Sequence, residues 1–227
     1  MPITPEALHF LTENVLRDSK TWYNDHRQDY QRLVKEPMVQ LASELLPAVL
    51  SIDAEITSTP ARSISRLYRD TRFTKDKSLF RSTVWCSFFR DKKRYHNLPG
   101  FFFEFSPTGF RYGCGYYYME PAQMQLLRDM MQAGAPLFRA AFDAFQSQAA
   151  FTLSGDSYKR LRYPHPDPAL QDWLNRKEMC FLQESRDFDL LFSPALGQEI
   201  SRAFLSLAPH YRFLLRAAEL DKHPDSL

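Results

Sequence analysis

Residues 101–118 read FFFEFSPTGFRYGCGYYY, and they contain the clearest β-hairpin pattern of the chain. Phe101, Phe103 and Phe105 recur with the period of two that is typical of a strand, and a second run of the same period follows from 110 to 118. Between the two runs, residues 106–109 (Ser-Pro-Thr-Gly) have the composition of a turn. Two such runs joined by a short turn predict an antiparallel β-hairpin.

Two further strands are predicted on the N-terminal side of the hairpin. Residues 64–69 and 80–89 are rich in β-branched and aromatic side chains, and the polar residues 70–78 connect them. Within the hairpin, Gly113 and Gly115 interrupt a strand pattern, which indicates either a bulge or a close approach of a neighbouring backbone.

Helical patterns lie on both sides of these strands. Thr4 and Pro5 have the residue types of an N-cap and a first helical position, and Ser19 is the N-cap candidate of the next helix. After the hairpin, Pro121 and Pro136 each precede apolar residues at helical spacing. We therefore predict an α+β fold in a single compact domain, residues 1–227, with helices flanking a central antiparallel sheet. Its predicted parts are helical at 4–50, sheet at 62–118 and helical at 120–220.

Composition limits the class of protein. The chain of 227 residues is 44% hydrophobic and 25% charged, the mixture of a globular protein, which excludes disordered, collagen-like and coiled-coil classes. Only seven glycines are present and none forms a phosphate-binding loop, so we predict no cofactor. The three cysteines lack the spacing of a zinc or redox site. With no signal-peptide pattern and no apolar run long enough to span a bilayer, we expect a cytoplasmic protein without a membrane partner.

Charge is distributed unevenly along the chain. Residues 62–94 contain eleven Lys or Arg against three Asp, a net charge of +8, so the remainder carries −6 of the chain's total of +2. A basic segment of this kind predicts an anion-binding surface or, alternatively, a solvated charged face. At its end, residues 90–94 (Arg-Asp-Lys-Lys-Arg) have the composition of an exposed hairpin tip.

The basic loop, as residues 66–81 are called from here on, is the part of this segment that suits a ligand best. Asp70 and Asp76 stand close in sequence to arginines and can hold their guanidinium groups, while Tyr68 and Phe73 supply apolar anchors. Arginines held in this way grip phosphate or carboxylate with two parallel hydrogen bonds. An Arg–Asp network that only stabilises the fold is the alternative. The predicted ligand-binding cations are Arg66, Arg69, Arg72, Lys75, Lys77 and Arg81, completed by Arg160 and Lys177.

Three residues are candidates for catalysis. His26 lies one helical turn from Trp22 and from Tyr30, on the predicted inward face, and an imidazole is the side chain best suited to proton transfer near neutral pH. Asp70 and Asp76 are the candidates to orient it. No metal-ligand spacing occurs, so we predict no metal. The sequence contains neither a Gly-x-Ser-x-Gly nor a His-Glu-x-x-His motif, and enzymatic activity stays an open question.

The string at 68–78, Tyr-Arg-Asp-Thr-Arg-Phe-Thr-Lys-Asp-Lys-Ser, resembles the signature of a widespread microbial family of uncharacterised proteins, domain of unknown function 2461. The similarity extends over nearly the whole chain. Where the family usually has Pro-Tyr-Lys after the signature, this chain has Leu79-Phe80-Arg81, which keeps a cation and loses a phenol. The resemblance implies the fold and the site location of a bacterial family, and it implies no activity. Other residues that carry it are Phe10, Leu11, Trp22, His26, Tyr30, Gly113, Cys114, Gly115, Tyr118, Pro121, Leu127, Arg128, Lys159, Arg160, Pro164, His165, Pro166, Trp173, Leu174 and Lys177.

Three classes of function follow from these patterns. The first is a basic pocket that binds a small phosphate- or carboxylate-bearing ligand, with or without a reaction on it. The second, ranked lower because the sequence pI is only about 8.4, is nucleic-acid binding on a surface of cations and stacking aromatics. The residues predicted to stack on bases in this second class are Tyr68, Phe73, Trp85, Phe88, Phe89 and Tyr95. The third class is a structural or partner-binding protein.

Overall fold

A computed structural model describes residues 3–72, 75–91 and 97–222, and in this part of the chain five antiparallel strands form one sheet in the order β1-β2-β3-β5-β4. The strands are β1 Val84–Phe88, β2 Pro99–Ser106, β3 Gly109–Tyr116, β4 Thr152–Ser154 and β5 Cys180–Ser185. The predicted hairpin is confirmed as β2 and β3. Phe101 lies opposite Cys114, and Ser106 lies opposite Gly109 at the turn.

Helices precede and follow the strands, as predicted. On the N-terminal side they are α1 Pro5–Arg17, α2 Lys20–Asp25, α3 Arg27–Asp29, a π-helical stretch Tyr30–Lys35, α4 Glu36–Ile52 and α5 Pro60–Ser63. On the C-terminal side they are α6 Pro121–Gln132, α7 Pro136–Gln146, α8 Pro168–Leu174, α9 Phe188–Leu191, α10 Leu196–Ser206 and α11 Ala208–Lys222. The Ser19 hydroxyl accepts a hydrogen bond from the Trp22 backbone N–H at 3.3 Å, which caps α2 as its residue type predicts.

The core lies between one face of the sheet and the helices α4, α10 and α11. Phe101 is buried on this face, and its ring centroid lies 5.1 Å from that of Phe204 and 4.8 Å from that of Tyr211. The alternate residues of the strands, such as Trp85 and Phe102, are partly exposed on the other face. The architecture is therefore the predicted α+β arrangement. None of the described helices combines the length and the apolar composition that crossing a bilayer requires.

The sheet differs from the prediction at both of its edges. β5 pairs with β3, and β4 pairs with β5, so the sheet extends beyond 62–118 into the C-terminal part. The predicted strand at 64–69 forms only two isolated bridges, which join Ile64 to Cys86 and Tyr68 to Phe80. The Ser65 hydroxyl accepts the hydrogen bond of the Trp85 backbone N–H at 3.1 Å, and a side-chain bond in that place interrupts a regular ladder.

The glycines of β3 allow a close approach of backbones. A Cβ atom on Gly113 would lie 2.0 Å from the Phe181 carbonyl oxygen, and one on Gly115 would lie 2.5 Å from the Cys180 Cα. The pairing of β3 with β2 and β5 is continuous through both residues. The close approach is therefore the correct alternative, and the bulge is not formed.

Arg90 is buried, so the prediction of an exposed hairpin tip is wrong for this residue. Its guanidinium binds both carboxylate oxygens of Asp53, at 2.7 and 3.0 Å, and contacts Glu219 at 3.2 Å. Tyr211 donates a hydrogen bond to the same Asp53 at 2.5 Å. Burial raises the pKa of Asp53, but the hydrogen bonds from Arg90 and Tyr211 outweigh it and leave the pKa below its usual value. This network joins the end of α4, the end of β1 and α11. Lys92, Lys93 and Arg94 lie outside the described residues.

Candidate anion-binding loop

The basic loop begins and ends at a short antiparallel contact. The backbone N–H of Arg69 donates to the Leu79 carbonyl, and that of Arg81 donates to the Leu67 carbonyl, both at 2.9 Å. Residues 70–72 and 75–78 lie between these two backbone hydrogen bonds, and Phe73, a predicted anchor, lies outside the described residues. A loop closed by two backbone hydrogen bonds holds its flanking side chains in fixed positions.

The base of the loop is attached to the N-terminal helices. Asp18, which ends α1 in a left-handed conformation with φ 41°, accepts a hydrogen bond from the Leu79 N–H at 2.7 Å. The ring of Tyr23 contacts those of Tyr68 at 5.4 Å and Phe80 at 5.1 Å between centroids. Burial raises the pKa of Tyr23. The sequence patterns did not identify Asp18 or Tyr23 as part of the site. The only sequence feature that marks these positions is the group of polar residues that follows α1.

Asp70 holds Arg72 as predicted. The Arg72 Nε and Nη2 donate to the two carboxylate oxygens of Asp70, at 3.0 and 2.7 Å, and the Arg72 backbone N–H donates at 3.2 Å. These hydrogen bonds, with the charges of Arg72 and Arg81, lower the pKa of Asp70 to about 2. The Arg72 side chain nevertheless stays 76% exposed. It is an oriented cation that remains open to solvent.

Arg69 has a more internal position. Its Nη1 lies 3.2 Å from Asp76 Oδ2, and its Nε is buried with no hydrogen-bond partner among the residues that the structure describes. The other Asp76 oxygen accepts the Ser78 N–H at 2.9 Å, and the hydrogen bonds from Ser78, with the Arg69 charge, lower the pKa of Asp76. Arg69 therefore connects the base of the loop to its C-terminal half.

The other cations of the loop differ in how they are held. Arg66 and Lys75 are exposed and form no hydrogen bond or ion pair with the described residues. Lys77 donates to the Thr71 carbonyl at 2.7 Å. The Arg81 guanidinium lies 4.9 Å from the centre of the Trp85 ring, and its charge acts on Asp70. Asp70 thus interacts with both arginines, with Arg72 through hydrogen bonds and with Arg81 through its charge.

The structure separates three predicted site residues from the loop. His26 Nδ1 lies 2.8 Å from the Trp22 carbonyl oxygen, and its ring stacks on that of Trp22 at 4.2 Å. Across the described ranges, no hydrogen bond or ring contact joins His26 to the basic loop. Arg160 and Lys177 lie beside β4 and β5, at the far edge of the sheet from β1. Four strand spacings, roughly 19 Å, separate these edges.

The predicted stacking residues do not share one surface. Phe88 is fully buried on the core face, so the prediction that it offers a stacking platform is wrong. Trp85 and Phe89 are partly exposed, and Tyr68 is 40% exposed beside Tyr23. Tyr95 and Phe73 lie outside the described residues.

Neither a metal centre nor an activated thiol is present in the described part of the chain. No three His, Cys, Asp or Glu side chains there form a group that could hold a metal ion. Cys86, Cys114 and Cys180 are unpaired thiols. Burial raises the pKa of Cys86 and of Cys180 to about 12, so both stay protonated at neutral pH.

Comparison with models of protein families identifies a family that covers most of the chain. The family model described as "Conserved hypothetical protein (DUF2461)" matches residues 6–213. No curated protein matches the chain.

Proposed function

The chain belongs to the DUF2461 family of conserved hypothetical proteins, and we propose that it binds a small phosphate- or carboxylate-bearing ligand through the basic loop. The family description names no activity, so the proposal rests on the residues of the loop. It concerns binding, because no hydrogen bond or ring contact joins His26 to the loop in the parts of the chain that are described.

The observation that carries the proposal is the state of Arg72. Its Nε and one Nη2 donor are held on Asp70, yet 76% of its side chain is exposed. A guanidinium held in one orientation loses less entropy when an anion binds than a free side chain does. Arg66, Lys75 and Arg81 have no carboxylate partner among the described residues and supply further positive charge.

Asp70 and Asp76 have a positioning role in this proposal. Each carboxylate accepts hydrogen bonds from a basic or backbone group, and the pKa of each lies below its usual value. Both are therefore ionised at neutral pH, and neither is available as a general acid. Their effect is to fix Arg72 and Arg69.

Isothermal titration calorimetry with pyrophosphate and with citrate tests the proposal. The wild type is compared with Arg72→Gln and with the control Arg32→Gln, which removes another exposed arginine paired with a nearby Asp. We expect saturable binding to the wild type and to the control, and binding at least about tenfold weaker in Arg72→Gln. Equal affinities in the two variants, or no saturable binding to the wild type, overturn the proposal.

Nucleic-acid binding is the second candidate, and one observation favours it. Trp85, Phe89 and Phe102 are partly exposed, and Arg81 lies over the Trp85 ring. Partly exposed aromatics on a sheet face are a common platform for single-stranded nucleic acid. This candidate predicts oligonucleotide binding that weakens steeply with added salt and is lost in Trp85→Ala.

A further inference from the structure

Arg128 is a buried cation without a carboxylate partner in the described chain. Only 2% of this residue is exposed. Its Nε donates to the Leu174 carbonyl at 2.9 Å, and its Nη2 donates to the Arg176 carbonyl at 2.5 Å. Carbonyl groups satisfy two donors but supply no negative charge. A buried charge without a counter-ion is costly, so its presence calls for an explanation.

Further cations gather at the same place. The Tyr158 ring has the Arg162 guanidinium 4.0 Å from its centre, that of Arg128 at 5.4 Å and the Lys177 Nζ at 5.8 Å. Arg128 also lies 4.7 Å from the centre of the Tyr163 ring. These five residues and Arg176 are called the Tyr158 cluster.

Carboxylates do not balance the charge of the cluster. Asp172 accepts a hydrogen bond from Arg176 Nη2 at 2.8 Å, and no other ion pair involves the cluster within the described residues. The Arg176 Nε is buried and has no hydrogen-bond partner within residues 3–72, 75–91 and 97–222. Like charges gathered around one ring repel one another, and the repulsion acts more strongly on Arg128, which is buried, than on a cation in water.

The backbone of the cluster is held in a fixed shape. Asn175, which is 7% exposed, accepts hydrogen bonds from the N–H groups of Arg162 and Tyr163 at 2.9 and 3.2 Å. Its amide donates to the Tyr163 and Gln171 carbonyls, both at 2.8 Å. A buried side chain with four hydrogen bonds fixes the backbone that carries Arg162 and Tyr163.

We propose that the Tyr158 cluster is a second anion site, which binds the phosphate group of a small phosphomonoester. Three cations of the cluster, Arg128, Arg162 and Lys177, lack an ion-pair partner in the described ranges, and a phosphate dianion carries more compensating charge than a carboxylate. The Tyr158 and Tyr163 rings add apolar surface beside the cations. The site stands at the opposite edge of the sheet from the basic loop, so it does not depend on the function proposed above.

Nuclear magnetic resonance of the arginine Nε–Hε groups, with inorganic phosphate and phenyl phosphate as probes, tests this site. We expect saturable shifts of the Arg128, Arg162 and Arg176 signals in the wild type. Arg162→Gln and Lys177→Gln should each weaken binding about tenfold, and both replace exposed side chains, so the fold is retained. Arg32→Gln is the matched control.

The same titration distinguishes the two sites. If the Arg72 signal does not shift while the Arg128 and Arg162 signals do, the Tyr158 cluster stands and the basic-loop proposal fails for phosphate. Shifts confined to the basic loop overturn the Tyr158 proposal, and so do equal affinities in the wild type and both cluster variants. Binding of acetate as tight as that of phosphate also overturns the assignment to a phosphomonoester.

Discussion

The Asp18 carboxylate accepts a hydrogen bond of 2.7 Å from the backbone N–H of Leu79, 61 residues further along the chain. Asp18 also occupies a left-handed conformation, with φ 41°, at the end of α1. One residue thus ends a helix and fixes the base of the basic loop. Gly, Asn and Asp tolerate this conformation, and most other residues are strained in it.

Substitutions of Asp18 separate these two roles. Asp18→Asn keeps an acceptor oxygen, and its free energy of unfolding should lie within about 0.5 kcal/mol of that of the wild type. Asp18→Gly keeps the conformation but leaves the Leu79 N–H without its acceptor, at a cost of about 1–2 kcal/mol. Asp18→Ala adds backbone strain and should be the least stable of the three. Urea unfolding followed by circular dichroism gives the order, and a Gly variant as stable as Asn would show that the hydrogen bond contributes nothing.

The Asp53–Arg90 pair should be sensitive to the loss of one partner. Arg90→Leu leaves the Asp53 carboxylate buried without its cation, and we expect a loss of about 3–5 kcal/mol in the free energy of unfolding. Tyr211→Phe removes one hydrogen bond and should cost about 1–3 kcal/mol. Denaturant unfolding at pH 7 measures both. A smaller loss for Arg90→Leu than for Tyr211→Phe would contradict this ranking.

The pH dependence of the same pair follows from the lowered pKa of Asp53. A carboxyl group with a lower pKa in the folded than in the unfolded state stabilises the fold above its unfolded pKa, and this contribution is lost as the pH falls through the folded value. Without Arg90, burial dominates and the pKa of Asp53 should rise. The difference in stability between the wild type and Arg90→Leu should therefore shrink from pH 7 toward pH 3, and a constant difference would refute this explanation.

The local features of this fold were predictable, and the long-range ones were not. The 101–118 hairpin and the cap at Ser19 depend on neighbouring residues, so the sequence pattern contains them. Lys177 lies far from the basic loop because β5 pairs with β3 and β4 pairs with β5, on the opposite side of the hairpin from β1. No local sequence pattern specifies this strand order. Likewise, the sequence does not distinguish Arg90, which is buried on Asp53, from an arginine at an exposed tip.

Arg69 and Arg72 should respond differently to removal, although both are paired with an Asp. The Arg69 side chain is 30% exposed and connects the loop to its base, so Arg69→Ala should lower the melting temperature. Arg72 is 76% exposed, and Arg72→Ala should leave the melting temperature without ligand unchanged, because pairs in full contact with water contribute little. Differential scanning calorimetry of both variants tests this. A large decrease for Arg72→Ala would favour the alternative in which the Arg–Asp network only stabilises the fold.

His210 should make the protein sensitive to mild acid. The residue is 2% exposed, and its ring lies 4.4 Å from that of Phe181. Neither ring nitrogen has a hydrogen-bond partner in the described part of the chain. Burial lowers the pKa of His210 to about 4, below the value of an unfolded chain, so the unfolded state takes up a proton first as the pH falls. The part of the free energy of unfolding that depends on neutral His210 is therefore fully present above about pH 6.5. It decreases as the pH falls from about 6.5 to about 4.

His210→Leu removes this titration, because it replaces the imidazole with an apolar side chain of similar size. In urea unfolding at a series of pH values from 7 to 4, the wild type should lose up to about 3 kcal/mol more than the variant. Other groups titrate equally in both proteins, so the difference between the two curves isolates His210. Parallel curves would mean that the imidazole gains a proton in the folded state as readily as in the unfolded one, for which the apolar surroundings formed by Phe145 and Phe181 offer no support.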